Sequence, residues 1–575
     1  MATIKKWRVA PAAEAEFFGQ FPDLSRATLQ LLYNRELKTE SEIADFFRSD
    51  YDANLFDPFL FKDMERAVKR IFEAIAGRQK IMIYGDYDAD GVCSTAVLYQ
   101  TLQGLGAEPE IYIPFREGEG YGLNKKAVES FINQKFDLLI TVDCGVANKD
   151  EIAELQAAGI DVIVTDHHEE PLQLPEPLAL INPHVKGCGY PESALCGAGV
   201  AFKLVQAIMK WQEQNDSPLK LPVGFEKWRL DLVAVATVGD IVPLIKENRV
   251  LVKYGLKVLA QTRNLGLKKM IETVNNHNGK LDSEYLGWRL VPRINAAGRI
   301  DHASAAFYLL TAKTDEESEK WVKMLEDNNK YRQQITEKTL GEAEAQIVDD
   351  SQQAIIVVGE GWPGGIMGLV AGRLCDRRHK PVLSFTHEDG KYVASGRSIE
   401  EFDITAALKE CDELLVRYGG HPQACGLTIA GEENFEKFKE KFLGLAAEKL
   451  TGVELVPSIE IETEIKISEI TWELINELEK FEPFGEANPK PLFCARNLSI
   501  EQIQTVGADG KHLKVLVSQD NDLNNLHKLI GFSFGEWCAK LKVGDKIDIV
   551  FELGINEWNG NREFQLKIVD LKLSE

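Results

Sequence analysis

Hydrophobic and polar positions follow two different rhythms along this chain. From Lys80, short apolar runs alternate with amphipathic stretches: "KIMIYGD" (80–86), "EPEIYIPF" (108–115), "FDLLITVDCG" (136–145) and "DVIVTDHHE" (161–169) predict strands, while "STAVLYQTLQGLG" (94–106), "NKKAVESFINQ" (124–134) and "NKDEIAELQAAGI" (148–160) predict helices. Apolar strands separated by helices indicate βαβ units and a buried parallel sheet. Right-handed crossovers then bring every strand's carboxyl end to one edge. Upstream, residues 1–75 read as a mixed, mostly helical lead-in that packs on this α/β domain, taken as 76–313. "WRLDLVAVATVGDIVPL" (228–244) reads as an apolar helix broken at Gly239.

The second half changes rhythm. Residues 314–350 form a dense charged stretch that predicts a connecting helix, with a capping box from Thr314 and Glu317 and a reach of roughly 50 Å. A strand pattern restarts over 351–452 with "QAIIVVGEG" and "KPVLSFTHEDGKYVASGRS". From about Val453 the alternation has period two: "SIEIETEIKI", "HLKVLVSQ", "KLIGFSF", "DKIDIVFELGI" and "REFQLKIVDLKL" predict five strands, and Asn559-Gly560 predicts a hairpin turn. Five such strands over 453–575 suggest an OB-fold β-barrel.

Composition narrows the class. A chain of 575 residues suggests about three or four domains, and 44% hydrophobic residues supply real cores. The opening "MATIKKWRVAPAAEAEFF" lacks the apolar core of a signal peptide, and no apolar run reaches the roughly 18 residues that span a bilayer, so a soluble, cytoplasmic protein is expected. Nine scattered cysteines without a Cys-x-x-Cys pair predict buried free thiols, not a disulfide framework or a zinc site. The net charge of −24 argues against a phosphate-coated partner unless that partner enters a local groove lined by metal or basic groups.

The candidate chemistry lies where three strands end: Asp86 and Asp88 after the first, Asp143 after the third, and Asp166, His167 and His168 after the fourth. Open α/β sheets bind ligands at that edge. Any one of these acids could be a helix cap, but three in succession with paired histidines point to a shared metal site. Asp86 and Asp88 stand two apart, so on an extended segment they share a side and repel unless a cation lies between them. Oxygen ligands favour magnesium or manganese, and imidazole shifts the balance toward manganese or another transition metal. Such a set can hold two ions about 3.5–4 Å apart for a phosphoryl displacement. Asp90, before Gly91 at the start of a helix, reads at least as readily as a cap or a support as it does as a metal ligand, and Asp240, after the break at Gly239, as a fourth contributor or a turn residue.

In this order, "GDYDADG", "VDCG", "TDHH" and "GDIVPL" resemble the metal-binding motifs of the DHH phosphoesterase superfamily. "RINAAGR" (293–299), "SGRS" (395–398), "GGHPQACG" (419–426) and "PFGEANPKPLF" (483–493) make the chain similar to the RecJ family of single-strand-specific exonucleases. The resemblance implies a DHH-type parallel-sheet domain joined by the long helix to a DHHA1-type α/β domain, followed by the OB-fold that binds single-stranded DNA. It implies that Asp86 binds one ion, that Asp88, His167 and Asp240 bind the other, that Asp143 bridges them, that His168 faces the scissile phosphate and that Asp166 supports the histidines. Arg116, Ser395 and Arg397 would hold a 5′-terminal phosphate, and Arg299 and His421 would contact the strand. Phe532, Phe534, Trp537 and Trp558 are candidates for base stacking.

The resemblance further implies a monomeric, two-metal (Mn²⁺ or Mg²⁺) 5′→3′ exonuclease of recombination and mismatch or excision repair. Its partners would be a DNA 5′ end, single-stranded-DNA-binding protein and repair helicases, with no membrane. Two alternatives stay open: a catalytically silent single-strand-binding scaffold, and an oligonucleotide or cyclic-dinucleotide phosphodiesterase. The chain departs from the family pattern at Pro363, where histidine is common, and at Cys425, where alanine is usual.

Overall fold

The catalytic sheet is parallel, in the strand order Glu110–Tyr112, Ile81–Gly85, Leu138–Val142, Asp161–Thr165, Ala179–Ile181. The computed structural model describes residues 5–274, 280–348, 351–558 and 561–574. Both central strands, Ile81–Gly85 and Leu138–Val142, are buried at every position. Full burial on both faces explains why these runs are continuously apolar. The fifth strand, Ala179–Ile181, was not expected; three residues are too few to show a period.

The helix after the first strand runs Ala89–Gly104, starting five residues before Ser94. Asp88 caps it, accepting from the amides of Asp90 (2.9 Å) and Gly91 (3.1 Å), so the acidic run is the helix start and not a loop before it. The apolar helix Leu230–Gly239 stops at Asp240, its C-cap, and Ile241 follows with φ 58°.

The charged helix spans Asp315–Gln346. Thr314 caps it by accepting from the Glu317 amide (3.2 Å), while the Glu317 carboxylate accepts from the Lys313 amide (2.8 Å), so the expected capping box forms only by half. The helix packs on Leu265–Val274, Val291–Ile300 and Ser304–Leu310 and, farther along, on Gly364–Arg378. That last helix belongs to a mixed five-stranded sheet in the order Arg417–His421, Ala424–Ala430, Lys391–Arg397, Val382–Glu388, Ile355–Glu360. Pro363 sits at its N-cap with φ −62°, the torsion that proline fixes.

All of this forms one compact unit, Leu55–Val242 with Glu247–Leu455. A second unit takes the chain up to Asn54, Pro243–Lys246, and the chain from Val456. Residues 1–75 therefore do not behave as one lead-in on the catalytic domain; they divide at residue 55. Phe17, Leu29, Leu31 and Leu32 share a core with Phe481, Phe493 and the C-terminal strands, and Lys6–Val9 pairs in parallel with Ser458–Ile461. An amphipathic pattern shows that a helix covers something, not which sheet it covers.

The second unit carries a closed five-stranded barrel, Leu492–Val506, His512–Ser518, His527–Gly531, Asn561–Leu573 and Lys546–Trp558, closed by pairing of the last with the first. The architecture is the expected OB-fold, but its first strand is Leu492–Val506 and not "SIEIETEIKI". Register shifts at Ala495/Leu498 and Ile500/Gln502 break that strand's alternation. The expected hairpin turn at Asn559-Gly560 lies outside the described residues.

Candidate metal centre

Three strand ends and one helix end converge as their order in the sheet dictates. The donor atoms of Asp86, Asp88 and Asp143 lie within 4.8 Å of one another, as do those of Asp90, His167 and Asp240, and those of Asp143, His167 and His168. His167 Nε2 is 3.1 Å from Asp143 Oδ1, 3.7 Å from Asp240 Oδ2 and 3.8 Å from Asp90 Oδ2. The geometry differs from the resemblance in one respect: Asp88 groups with Asp86 and Asp143, and Asp90 stands beside His167 and Asp240.

Asp90 has a visible structural task. Its two oxygens accept from the amides of Gly197 (2.6 Å) and Ala198 (2.7 Å), which open the helix Gly197–Gln214. A buried carboxylate on a helix N-terminus satisfies otherwise orphaned amides. Two glycines let the backbone close around the acids. A Cβ at Gly91 would lie 2.6 Å from the Asp86 carbonyl oxygen, and one at Gly197 would lie 2.6 Å from Asp143 Oδ1. Gly91→Ala is therefore expected to lower stability by about 1–3 kcal/mol, read by urea denaturation, and to reduce hydrolysis with it.

Asp166 orients the histidine pair. Fully buried, it accepts from the amides of Val146 (2.8 Å), His167 (2.7 Å) and His168 (3.1 Å) and from His168 Nδ1 (2.8 Å). Burial pushes its carboxyl upward, but the hydrogen bond and charge of His168 outweigh it and hold Asp166 below the usual range. Burial lowers His168, yet Asp166 raises it further, to about 9. Burial also lowers His167, so that ring is neutral near pH 7, as a metal ligand requires. The remaining acids move the other way. Burial, then Asp88, drives Asp86 well above the carboxylate range; burial, then Asp90, does the same to Asp143. Burial, then Asp90, lifts Asp240 to about 9.

The residues fit a divalent cation. Asp86 Oδ1 is buried without a hydrogen-bond partner, and buried Asp143 Oδ1 accepts no hydrogen bond and has the ring nitrogen of the neutral His167 3.1 Å away; a buried carboxylate oxygen so placed is costly unless a cation meets it. Carboxylates with one neutral imidazole and no thiolate suit magnesium or manganese.

Residues 80–237 match the DHH family, N-terminal domain; 351–448 match the DHHA1 domain; and 461–570 match the RecJ OB domain. A single-stranded-DNA-specific exonuclease RecJ from Bacillus subtilis (strain 168) is 39% identical over 551 residues, covering 95% of this chain and 68% of that protein. The chain belongs to the RecJ family. The RecJ of Salmonella typhimurium is 32% identical over 530 residues, covering 88% of this chain and 90% of that protein. A crystal structure of RecJ in complex with Mn²⁺ from Thermus thermophilus superposes with a TM-score of 0.83 at 28% identity, covering 99% of this chain and 80% of that one.

In this chain the expected phosphate-binding groups lie in one compact unit. Arg116 stacks 4.3 Å over the Tyr87 ring, and its Nε is buried without a partner. Arg299 donates to the Gly365 carbonyl (2.9 Å), at the start of the DHHA1 helix, and Glu117 accepts from the Gly365 amide (3.1 Å). Ser395 and Arg397 alternate on one face of Lys391–Arg397, and a Cβ at Gly368 would sit 3.2 Å from Arg397 Nη2. Ser398 spends its hydroxyl on the Phe402 carbonyl (2.6 Å), so Ser395 is the serine left to donate. His421 ends an exposed edge strand and is not brought to the arginines by any hydrogen bond among the described residues. In the barrel, Phe532 is exposed, Phe534 and Trp537 pack on the core, and the Trp558 side chain lies outside the described residues.

Sequence reasoning missed two supports. Asn295 Oδ1 accepts from the Ala89 amide (2.7 Å) at the start of the acid-bearing helix, and its place inside "RINAAGR" was the available signal. The Tyr121 hydroxyl lies 2.9 Å from His168 Nδ1 and had no signal beyond a glycine-rich loop.

Proposed function

We infer that this protein is a metal-dependent, single-stranded-DNA-specific exonuclease. One observation carries the chemistry: the carboxylates of Asp86, Asp88 and Asp143 gather at the carboxyl edge of a parallel sheet, with Asp143 Oδ1 3.1 Å from a neutral His167 and Asp86 Oδ1 buried without a hydrogen-bond partner. Family membership carries the substrate, since the relatives are named for single-stranded DNA. The relative from Thermus thermophilus has been solved with Mn²⁺ and with Mg²⁺, and the oxygen-rich donor set here suits the same ions.

Asp86, Asp88, Asp143, His167 and Asp240 are the residues that hold the ions. Bound there, the ions polarise the scissile phosphate and lower the pKa of an attacking water. Asp166 holds the His168 ring through Nδ1 and the His167 backbone through its amide. His168, raised to about 9, is cationic at neutral pH and places a positive charge toward the phosphate being cut. Arg116, Ser395 and Arg397 form the pocket for a 5′-terminal phosphate, which sets 5′→3′ polarity, and Arg299 and His421 contact the strand behind it. The OB barrel binds the single strand with Phe532 exposed for stacking. The enzyme acts as a monomer in recombination and excision repair in the cytoplasm, with single-stranded-DNA-binding protein and helicases as partners. Among the described residues no helix is long and apolar enough to cross a membrane.

A 3′-labelled single strand, incubated with Mn²⁺ beside a blunt duplex, tests this. A ladder that shortens from the 5′ end on the single strand alone is expected; an intact single strand that is tightly bound would make the protein a silent scaffold. Arg397→Ala should cut the preference for a 5′-phosphate over a 5′-hydroxyl by roughly 10–100-fold, the worth of a charge-assisted contact. An unchanged preference in kcat/KM would put the terminal phosphate elsewhere.

A further inference from the structure

The connecting helix Asp315–Gln346 is polar along most of its length, as a solvated helix would be. Three of its polar atoms are not solvated. Asn328 Nδ2, Asn329 Oδ1 and Arg332 Nε are all buried with no hydrogen-bond partner. Native interiors leave few such atoms, and the two donors among them, Asn328 Nδ2 and Arg332 Nε, suit an anionic ligand.

Asn328 and Arg332 stand four apart, so they share a helix face. The neighbouring arginines are already committed: Arg293 pairs with Glu326, and Arg373 pairs with Glu337. Arg332 has no carboxylate partner among the described residues. The helix that carries it packs against Val291–Ile300, which bears Arg299, and against Gly364–Arg378, whose Gly368 abuts Arg397. Burial, then the charges of Arg116, Arg332 and Arg397, brings Arg299 down to about 10. In a chain of net charge −24, guanidinium groups gathered this way with unspent donors await an anion.

We propose that Arg332, with Asn328 one turn before it, grips an internal phosphate of the incoming strand, behind the terminal phosphate held by Arg116 and Arg397. This rests on the exonuclease reading above. Arg332 is a positioning residue: it holds the strand in register with the metal centre and touches no reacting atom. Its guanidinium supplies two parallel donors to a phosphate, which lysine cannot reproduce.

The test uses the full chain and 5′-phosphorylated oligothymidylates of two and of twelve nucleotides. Arg332→Gln should raise KM for the twelve-mer about tenfold and alter kcat by less than about twofold. KM for the dinucleotide should rise less. The slope of log Kd against log salt for the twelve-mer, measured without turnover in EDTA, should fall by about 0.7, the share of one phosphate contact on a single strand. Arg332→Lys should recover the salt slope and only part of the KM. Equal KM and equal salt slope in Arg332→Gln and the parent would overturn the proposal, as would an equal rise in KM at both lengths. A parent that binds but does not cut the twelve-mer would overturn the exonuclease reading, while the salt slopes would still judge the contact. Should Arg332→Gln fail to fold, Asn328→Ala carries the test, with KM for the twelve-mer up about threefold expected and no change contradicting it.

Discussion

Asp143→Ala and Asp143→Asn should each lower the hydrolysis rate by about 10³-fold or more while leaving affinity for a single strand within a few fold. Asp143 is the acid with the most neighbours: it belongs to two of the three ligand groups and lies 3.1 Å from His167. Its backbone is held at φ 62°, in the left-handed region that asparagine and aspartate tolerate best, and its amide donates to the Thr165 carbonyl (3.0 Å). The conformation aims the carboxylate inward, where Gly197 leaves room for it. The asparagine variant keeps size and backbone preference and removes only the charge. It should also melt higher than the parent when both are metal-free, because it removes one of several repelling buried carboxylates. Loss of binding and folding together in Asp143→Asn would mean that the residue holds the fold instead of the ions.

The second large effect concerns metal removal. Asp86 and Asp143 are driven above the carboxylate range and Asp240 to about 9, in each case first by burial and then by neighbouring aspartates. A free aspartate titrates near about 3.9. Between those values the metal-free folded state binds more protons than the unfolded state, so the cluster's contribution to stability falls as pH rises from about 4 to about 9. His168, raised to about 9 beside Asp166, adds a contribution that is also lost as pH rises through that value. Manganese replaces the protons and removes the repulsion. The gap in melting temperature between manganese-loaded and EDTA-treated protein should therefore widen steadily from pH 5 to pH 9. A gap that is constant or narrows with pH would show that these acids do not share the ion.

Much of the site was legible in the chain because its strands are buried on both faces, which leaves their apolar runs unmistakable and their acidic ends conspicuous. Sequence and structure part where two acids compete for local tasks. Asp88 and Asp90 look alike in sequence, yet Asp88 caps its own helix and Asp90 caps a helix more than 100 residues later. Only the tertiary fold brings Gly197 to Asp90. The barrel's first strand was missed because bulges break its alternation, and the N-terminal helices were misplaced because amphipathicity names no partner. Arg332 and Asn328 stayed hidden for a related reason: on a helix this polar, a buried guanidinium and a solvated one have the same sequence signature.

Counting bound manganese in the full chain, by titration of the metal-free protein at pH 8, would probe the metal centre most directly. Two ions per chain, falling to one or none in Asp143→Asn as hydrolysis of a single strand is lost, is the expected result. Hydrolysis that persists at full rate in EDTA, or ions that bind equally well to Asp143→Asn, would contradict it.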